Sequence, residues 1–294
     1  MIAITKIGRG ASRLAAIALV SLVGTAHPVI AQDKAERVLS IGGAVTEIVY
    51  ALGEEGRLIG RDSTSSYPQA ATALPDVGYM RALAPEGVLS IEPDLILARE
   101  GSGPPEAIEV LRSAGIPFVD VPEDFTAEGI GDAIDVVADA LGVEEKGAAL
   151  HAEISAQMKQ LAETMSGIGE KKRVLFILSM QDGRIMASGT GTAANGIIEL
   201  AGAENAIVDF EGYKQVTDEA IITVDPDAIL MMDRVGDHGT DPDTLFAHPA
   251  IATTQAAKDK ALVRMDGLYL LGFGPRTASA ALDLAKALYG DDFH

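Results

Sequence analysis

The feature that most constrains the fold is one long amphipathic segment, residues 143–166. Its apolar residues are separated by seven, four, four, three and four positions, which places them on one face of an α-helix. They are Val143, Leu150, Ile154, Met158, Leu161 and Met165. At ~1.5 Å per residue such a helix is about 35 Å long. This length is enough to connect two domains.

The sequence on the two sides of this helix repeats one pattern. Residues 84–97 read APEGVLSIEPDLIL, and residues 217–230 read TDEAIITVDPDAIL. Each segment predicts a short helix, a Pro-Asp turn and a buried strand. Each half also opens with a similar apolar strand, RVLSI from Arg37 and RVLFILS from Arg173. We therefore expect an α/β fold of two Rossmann-like lobes, each with a mainly parallel sheet, joined by one long helix.

The first residues predict a secretory signal peptide. Lys6, Arg9 and Arg13 precede an apolar run at residues 14–23, and small residues precede an expected cleavage site after Ala31. The apolar run is too short to cross a membrane as a stable helix. The predicted organisation is a signal peptide at 1–31, an N-terminal lobe at 32–142, the inter-lobe helix at 143–167 and a C-terminal lobe at 168–294.

The chain is strongly acidic and has no cysteine. It contains 43 Asp and Glu residues against 23 Lys and Arg residues, a formal net charge of −20. Such a chain repels nucleic acids and anionic membrane surfaces, which we exclude as partners. Without cysteine there are no disulfide bonds, no thiolate metal site and no lipid-acceptor residue after the signal peptide. We expect an exported protein that diffuses freely in a periplasm and does not insert into a membrane.

Motifs that carry enzymatic chemistry are absent from the sequence or weak. There is no G-x-S-x-G, H-E-x-x-H or Walker motif. Residues 189–194 fit the loose G-x-G-x-x-A dinucleotide pattern, but a tight turn before a helix is the simpler interpretation. Only His238 and His248 could approach a cleft, and they lack the spacing of a zinc or manganese site. We therefore predict neither an enzyme nor a catalytic cofactor.

Four short strings resemble those of exported haem-binding proteins. They are Thr-Ser-Ser-Tyr-Pro at 64–68, Tyr-Met-Arg at 79–81, Gly-Tyr-Lys at 212–214 and Leu-Gly-Phe-Gly-Pro-Arg at 271–276. With the two-lobe pattern, they make the chain similar to the substrate-binding proteins of ABC importers that carry iron chelates, cobalamin or haem. The resemblance implies delivery of ferric haem to the membrane subunits of an importer, with an outer-membrane haem receptor upstream. A ferric siderophore or cobalamin carrier is the alternative.

Tyr67 is the residue that the resemblance implies as the haem ligand. It lies in a polar loop that begins at Arg61, after a predicted strand, and ligands bind beyond the carboxyl ends of parallel strands. A phenolate is a hard oxygen donor that suits ferric iron. Because a free phenol has a pKa of about 10, ligation needs the metal or a nearby cation to favour the anion. Without the resemblance, a Tyr before a Pro in such a loop indicates only a surface turn.

Further residues are expected around the haem. Arg81, Lys214 and Arg276 are candidate partners of the two haem propionates, because Arg and Lys side chains bind carboxylates. Several aromatic and apolar side chains could contact the haem or simply pack in the core. These are Tyr79, Met180, Tyr213 and Phe273. A second axial histidine would have to be His238 or His248, although such loop histidines are mostly just exposed.

The repeat also predicts a matched pair of contacts with the importer. Glu86 and Glu219 occupy the same repeat position, at the start of a short predicted helix. A carboxylate is favoured at a helix N-terminus, which is a sufficient local reason for both. In the family that this chain resembles, paired glutamates at these positions dock onto arginines of the membrane subunits. We expect Glu86 and Glu219 to do the same.

Overall fold

Two sheets and a long helix form the architecture in the computed structural model, which describes residues 1–2, 34–233 and 241–290. Residues 3–31 of the predicted signal peptide and His238 lie outside the described residues. Residues from Lys34 onward belong to one compact unit, so the lobe boundaries at 142 and 168 stay predictions. Each lobe is defined below by its sheet and the helices that cover it.

The N-terminal lobe is built on a parallel sheet. Its strands are β1 (Val38–Ile41), β2 (Leu58–Arg61), β3 (Leu95–Arg99) and β4 (Phe118–Val121). They lie in the order β2-β1-β3-β4. The main helices are α1 (Gly43–Ala51), α2 (Pro85–Leu89), α3 (Pro105–Ser113) and α4 (Ala127–Leu141). Because α1 and α4 cover one face and α2 and α3 the other, β1 and β3 are buried throughout, as their continuous apolar runs predict.

The C-terminal lobe is built on a mixed sheet. Its strands are β5 (Arg173–Gln181), β6 (Arg184–Ser188), β7 (Glu204–Asn205), β8 (Tyr213–Val216), β9 (Ala228–Asp233) and β10 (Leu262–Asp266). The main order is β10-β9-β5-β6-β8, with β7 also paired to β5. The helices are α6 (Ala193–Leu200), α7 (Asp218–Val224), α8 (Pro242–Phe246), α9 (Gln255–Asp259), α10 (Gly267–Leu271) and α11 (Thr277–Tyr289).

The antiparallel part of this sheet refines the expectation of a mainly parallel one. Strands β9, β10 and β7 run parallel to their neighbours, whereas β6 is antiparallel to both β5 and β8. The turn between β5 and β6 uses Asp182 and Gly183, both with positive φ (51° and 73°), as a tight hairpin requires. Strand β8 is short, lies at the sheet edge and has no fully buried residue, so its sequence carries no clear strand pattern.

The predicted long helix is α5 (Glu144–Met165), which agrees with residues 143–166 to within one residue at each end. Its buried side packs into a core that also receives α4, α6 and α11, through side chains such as Ile134, Met158, Ile197 and Leu284. The two lobes therefore share one apolar core and are not separate globules. Among the helices of the described residues, none has the length and apolar character to cross a membrane.

The Pro-Asp turn of the internal repeat makes the same hydrogen bond in each lobe. In the first copy, the carboxylate of Asp94 accepts a hydrogen bond from the backbone N–H of Arg37 (2.9 Å). In the second copy, the carboxylate of Asp227 accepts one from the backbone N–H of Arg173 (2.7 Å). Each Pro-Asp turn thus binds the start of the first strand of its own lobe. This shared contact explains why the two sequence segments look alike.

Candidate functional site

The loop that carries Tyr67 is held in place by a buried carboxylate, that of Asp62. Its oxygens accept hydrogen bonds from the backbone N–H of Gly42 (2.9 Å) and from the backbone N–H of Thr64 (3.0 Å). The hydroxyls of Thr64 and Ser65 each donate to it at 2.8 Å. Four donors compensate for the burial of this charge. Asp62 therefore joins the end of β2, the loop after it and the start of α1.

The start of α1 is also a place where the two lobes pack closely together. A Cβ atom on Gly43 would collide with the side chain of Leu268, from α10, and with the carbonyl oxygen of Thr64. Only glycine leaves room for both neighbours at this position. The Tyr67 loop, the N-terminus of α1 and helix α10 are consequently packed together at the lobe boundary.

Tyr67 and Tyr79 present large aromatic rings to solvent in this region. Their exposed fractions are 45% and 49%, while most large apolar side chains are buried. Their two segments are joined by a hydrogen bond from the backbone N–H of Ser63 to the carbonyl oxygen of Gly78 (2.9 Å). Because both rings follow the carboxyl end of β2, they lie where a parallel sheet offers a ligand site. Tyr67, the residue predicted to bind the iron, is thus accessible to a molecule from solution.

Arg276, predicted as a propionate partner, is already engaged by the protein. Its guanidinium carbon lies 3.7 Å from the centroid of the Tyr67 ring and 4.9 Å from that of the Tyr269 ring. Its Nε and Nη2 atoms donate to the two carboxylate oxygens of Glu47, at 2.8 and 2.6 Å. Glu47 lies on α1 and is buried. A residue that precedes α11 therefore reaches across the boundary and covers the face of Tyr67.

Burial dominates the electrostatics of this cluster. It raises the pKa of the Glu47 carboxyl above 4.5, although the hydrogen bonds and charge of Arg276 oppose the shift. Burial alone would lower the pKa of Arg276, but the hydrogen bonds and charge of Glu47 raise it. Burial and a hydrogen bond to Asp283 raise the pKa of Tyr269 to about 12. Tyr269 is therefore a poor source of phenolate.

The pair of Glu47 and Arg276 leads to a stability prediction. In Arg276→Ala, the buried carboxyl loses the cation that opposes its desolvation, so its folded-state pKa rises further above 4.5. A folded state that binds protons more tightly than the unfolded state loses stability as pH rises. We expect the variant to lose about 2 kcal/mol near pH 8 and progressively less as the pH falls toward 4.5.

Urea unfolding at several pH values measures this effect. The double variant Glu47→Gln with Arg276→Ala has no ionisable side chain at position 47, so its stability relative to the wild type should lack the extra pH dependence. Equal pH profiles for the single and double variants would assign the loss to another group.

A second cationic cluster lies at the same boundary. Arg99 is buried, pairs through Nε with Glu123 (2.8 Å) and donates from Nη1 to the carbonyl oxygen of Gly272 in the other lobe (2.9 Å). Burial lowers the pKa of Arg99; the charge of Glu123 opposes this shift, and the nearby positive charge of Arg81 adds to it. Burial raises the pKa of Tyr213, which also interacts with Arg81. Arg81 therefore acts electrostatically on both Arg99 and Tyr213.

Lys214 and Met180 are directed elsewhere. Neighbouring residues on β8 alternate between its faces, and Tyr213 packs beside Phe176 whereas the Nζ of Lys214 lies 5.3 Å from the ring of Phe210. Met180 packs with the apolar cluster beneath α7, α8 and α9. Both predicted contacts thus lie on the face of the C-terminal sheet opposite Tyr213.

Two further candidates have structural environments. His248 is buried, and its Nε2 lies 2.9 Å from the carbonyl oxygen of Gly183 in the β5–β6 turn. Phe273 is buried, makes an edge-to-face contact with Phe125 and has a φ of 51°. Of the two interpretations open for Phe273, the structure favours core packing. His248 supports the β5–β6 hairpin.

Glu86 and Glu219 occupy equivalent places in the two lobes. Each lies in the first turn of a short helix, α2 or α7, and each side chain is exposed. Thr217 caps α7 with its side-chain oxygen, which accepts a hydrogen bond from the N–H of Ala220 (3.2 Å). The helix N-terminus therefore does not depend on Glu219 for its capping bond, which leaves this carboxylate free for a partner.

Sequence reasoning missed Glu47, Asp62 and Tyr269. Glu47 had a readable signal, since it is a lone charge in the apolar segment GAVTEIVYA, and a buried charge requires a partner. Asp62 directly follows a predicted strand, where polar residues commonly face a ligand site. Tyr269 carried no signal, because its neighbours in space are Asp283 of α11 and Arg276, the residue before that helix.

A two-lobed α/β protein with an exposed tyrosine beside an Arg–Glu pair that crosses the lobe boundary has the architecture of a ligand carrier. The chain belongs to the periplasmic binding protein family, whose model matches residues 38–268. The structure is similar to that of the periplasmic haem-binding protein BhuT in complex with two haems. The identity is 37%, the TM-score is 0.81, and the match covers 86% of this chain and 97% of that chain.

Two curated relatives extend the comparison. The uncharacterised ABC transporter substrate-binding lipoprotein YvrC of Bacillus subtilis is 29% identical over 261 residues, covering 88% of this chain and 81% of the relative. The vitamin B12-binding protein of Yersinia pestis is 28% identical over 224 residues, covering 74% and 75%. The family and these relatives are binding proteins. This chain is accordingly a binding protein and not an enzyme.

Proposed function

We propose that this protein binds ferric haem between its lobes through Tyr67 and delivers it to an ABC importer of the inner membrane. The observation that carries the proposal is the exposed Tyr67 ring beneath the Arg276 guanidinium, 3.7 Å from ring centroid to guanidinium carbon. A cation on the ring face stabilises negative charge on a phenolate. The similarity to BhuT supports haem as the cargo. The predicted signal peptide supports a periplasmic location, and an outer-membrane haem receptor would act upstream.

The competing function is transport of cobalamin or a ferric siderophore. The similarity to the vitamin B12-binding protein supports the cobalamin alternative. Such a cargo would not need a phenolate ligand from the protein. The absorption spectrum of the purified protein mixed with hemin separates the two functions, because ferric haem bound to phenolate has a charge-transfer band that free hemin lacks. Binding of cyanocobalamin without a hemin spectrum would overturn the proposal.

In this proposal Arg81 binds a haem propionate and Tyr79 and Tyr213 contact the macrocycle. Arg81 is exposed and interacts electrostatically with Tyr213, whereas Arg276 has two of its donors on Glu47 and acts instead on Tyr67. Lys214 and Met180 lie on the opposite face of the C-terminal sheet and are weaker candidates for contact with the haem. A charge-assisted hydrogen bond from Arg to carboxylate is typically worth about 1.5–3 kcal/mol.

The role of Arg81 gives a prediction on affinity. We expect Arg81→Ala to weaken hemin binding about tenfold and to leave binding of haem dimethyl ester, which lacks free propionates, unchanged. Lys214→Ala also removes one positive charge, but from the face of the C-terminal sheet opposite Tyr213, and serves as the matched control. Titration by absorbance measures both ligands. Equal losses for hemin and its ester would remove the propionate role from Arg81.

A further inference from the structure

The contact between Glu47 and Arg276 has no part in the functions assigned so far. We propose that Glu47 is a positioning residue that holds the guanidinium of Arg276 over the ring of Tyr67 and so supports phenolate ligation of the cargo iron. This inference rests on the proposed function and adds a residue to its site. Glu47 itself is not expected to touch the haem, because its carboxylate is buried beneath Arg276.

The geometry of the pair supports a positioning role. Guanidinium N–H bonds lie in the plane of the group, so bidentate donation from Nε and Nη2 fixes that plane. The face of the group remains available and lies over Tyr67. The carboxylate of Glu47 therefore approaches the edge of the cation while the phenol ring meets its face. Glu47 orients the positive charge without lying between it and Tyr67.

Glu47 is held rigidly by helix α1, whereas the Arg276 side chain would be mobile without Glu47. Glu47 lies in the middle of α1, where Thr46 and Ile48 on either side are fully buried. Arg276 is partly exposed, and an unpaired Arg side chain gains rotamer freedom by moving into water. Asp266 also interacts electrostatically with Arg276, but its side chain accepts the backbone N–H of Tyr269 (2.8 Å). This hydrogen bond holds the Asp266 carboxylate at the start of α10.

The alternative role for Glu47 is a simple clamp between the lobes. A clamp would stabilise the protein regardless of whether Tyr67 carries a phenol. A positioning residue acts through Arg276 on that phenol, so its effect on haem should vanish when the phenol is removed. The two roles are therefore separated by testing Glu47 in two backgrounds.

The experiment is a hemin titration, followed by absorbance, of Glu47→Gln in the wild-type and Tyr67→Phe backgrounds. We expect about tenfold weaker binding and a weakened charge-transfer band in the wild-type background, and no further loss of residual binding in Tyr67→Phe. The milder Glu47→Asp keeps the charge, shortens the side chain by one methylene and should fall between Glu47→Gln and the wild type. It also replaces Glu47→Gln if that variant does not fold.

The outcomes separate this inference from the proposed function. If the wild type shows no phenolate band with hemin, the proposed function fails. If the wild type shows the band and Glu47→Gln leaves both band and affinity unchanged, the positioning role alone is wrong. Equal losses in the two backgrounds would make Glu47 an inter-lobe clamp.

Discussion

Tyr67→Phe should abolish the charge-transfer band of the hemin complex and weaken hemin binding by at least a hundredfold. The substitution removes the phenol oxygen and keeps the ring over which Arg276 lies, so the packing at 3.7 Å is preserved. What is lost is the bond from oxygen to iron, the largest single contribution of the protein to a Tyr-ligated haem. Absorption spectroscopy and a hemin titration measure both effects.

Tyr79→Phe is the matched control, since Tyr79 is the other large aromatic side chain in this region and is exposed to a similar extent. It should keep the band and lose little affinity. If Tyr67→Phe retained the wild-type spectrum, the ligand would be a different residue. His238 and His248 would then be tested as the ligand.

Reversal of charge at both Glu86 and Glu219 should stop transport without affecting haem binding. The two side chains are exposed at equivalent places in the two lobes, as expected for a carrier that docks on paired membrane subunits. With arginine at both positions, the carrier would repel basic residues on the importer, and like charges at an interface cost several kcal/mol. Haem uptake into vesicles that contain the importer should fall to background.

The control for this experiment is a reversal of similar size away from the predicted interface. Glu153→Arg with Glu163→Arg changes two exposed glutamates of α5 and gives the same net charge. It should transport normally. The hemin spectrum of both double variants should match the wild type, and transport by the wild type should weaken with salt. Wild-type uptake by Glu86→Arg with Glu219→Arg would reduce these residues to helix-end carboxylates.

Much of the fold was predictable because its signals are local. The apolar period of α5, the continuous apolar runs of β1 and β3 and the duplicated Pro-Asp turns all report on neighbours a few residues away. Strand β8 was not predictable, because it is short, lies at an edge and alternates only weakly between exposed and half-buried residues. Because this segment is a strand, Lys214 and Tyr213 face opposite sides, which the string Gly-Tyr-Lys alone could not indicate.

The candidate site was only partly predictable, for a related reason. Resemblance of short strings marked Tyr67, Arg81 and Arg276 one by one. The contact between Arg276 and Glu47 joins residues 229 positions apart, on two lobes. No periodicity or spacing encodes such a pair. The only sign of the pair in the sequence was Glu47, a single charge in an apolar helix. It predicts that a partner exists but does not indicate which residue that partner is.

The core shared by α4, α5, α6 and α11 has a consequence for traffic at the importer. Separating the lobes widely would expose apolar side chains to water, at a free-energy cost of about 25 cal/mol per Å² of apolar surface. The distance between Glu86 and Glu219 should therefore be nearly the same with and without cargo. An importer that recognises only this pair would then bind empty and loaded carriers equally well. Unloaded carrier would act as a competitive inhibitor of uptake, and the cell's supply of cargo relative to carrier would set the rate of import.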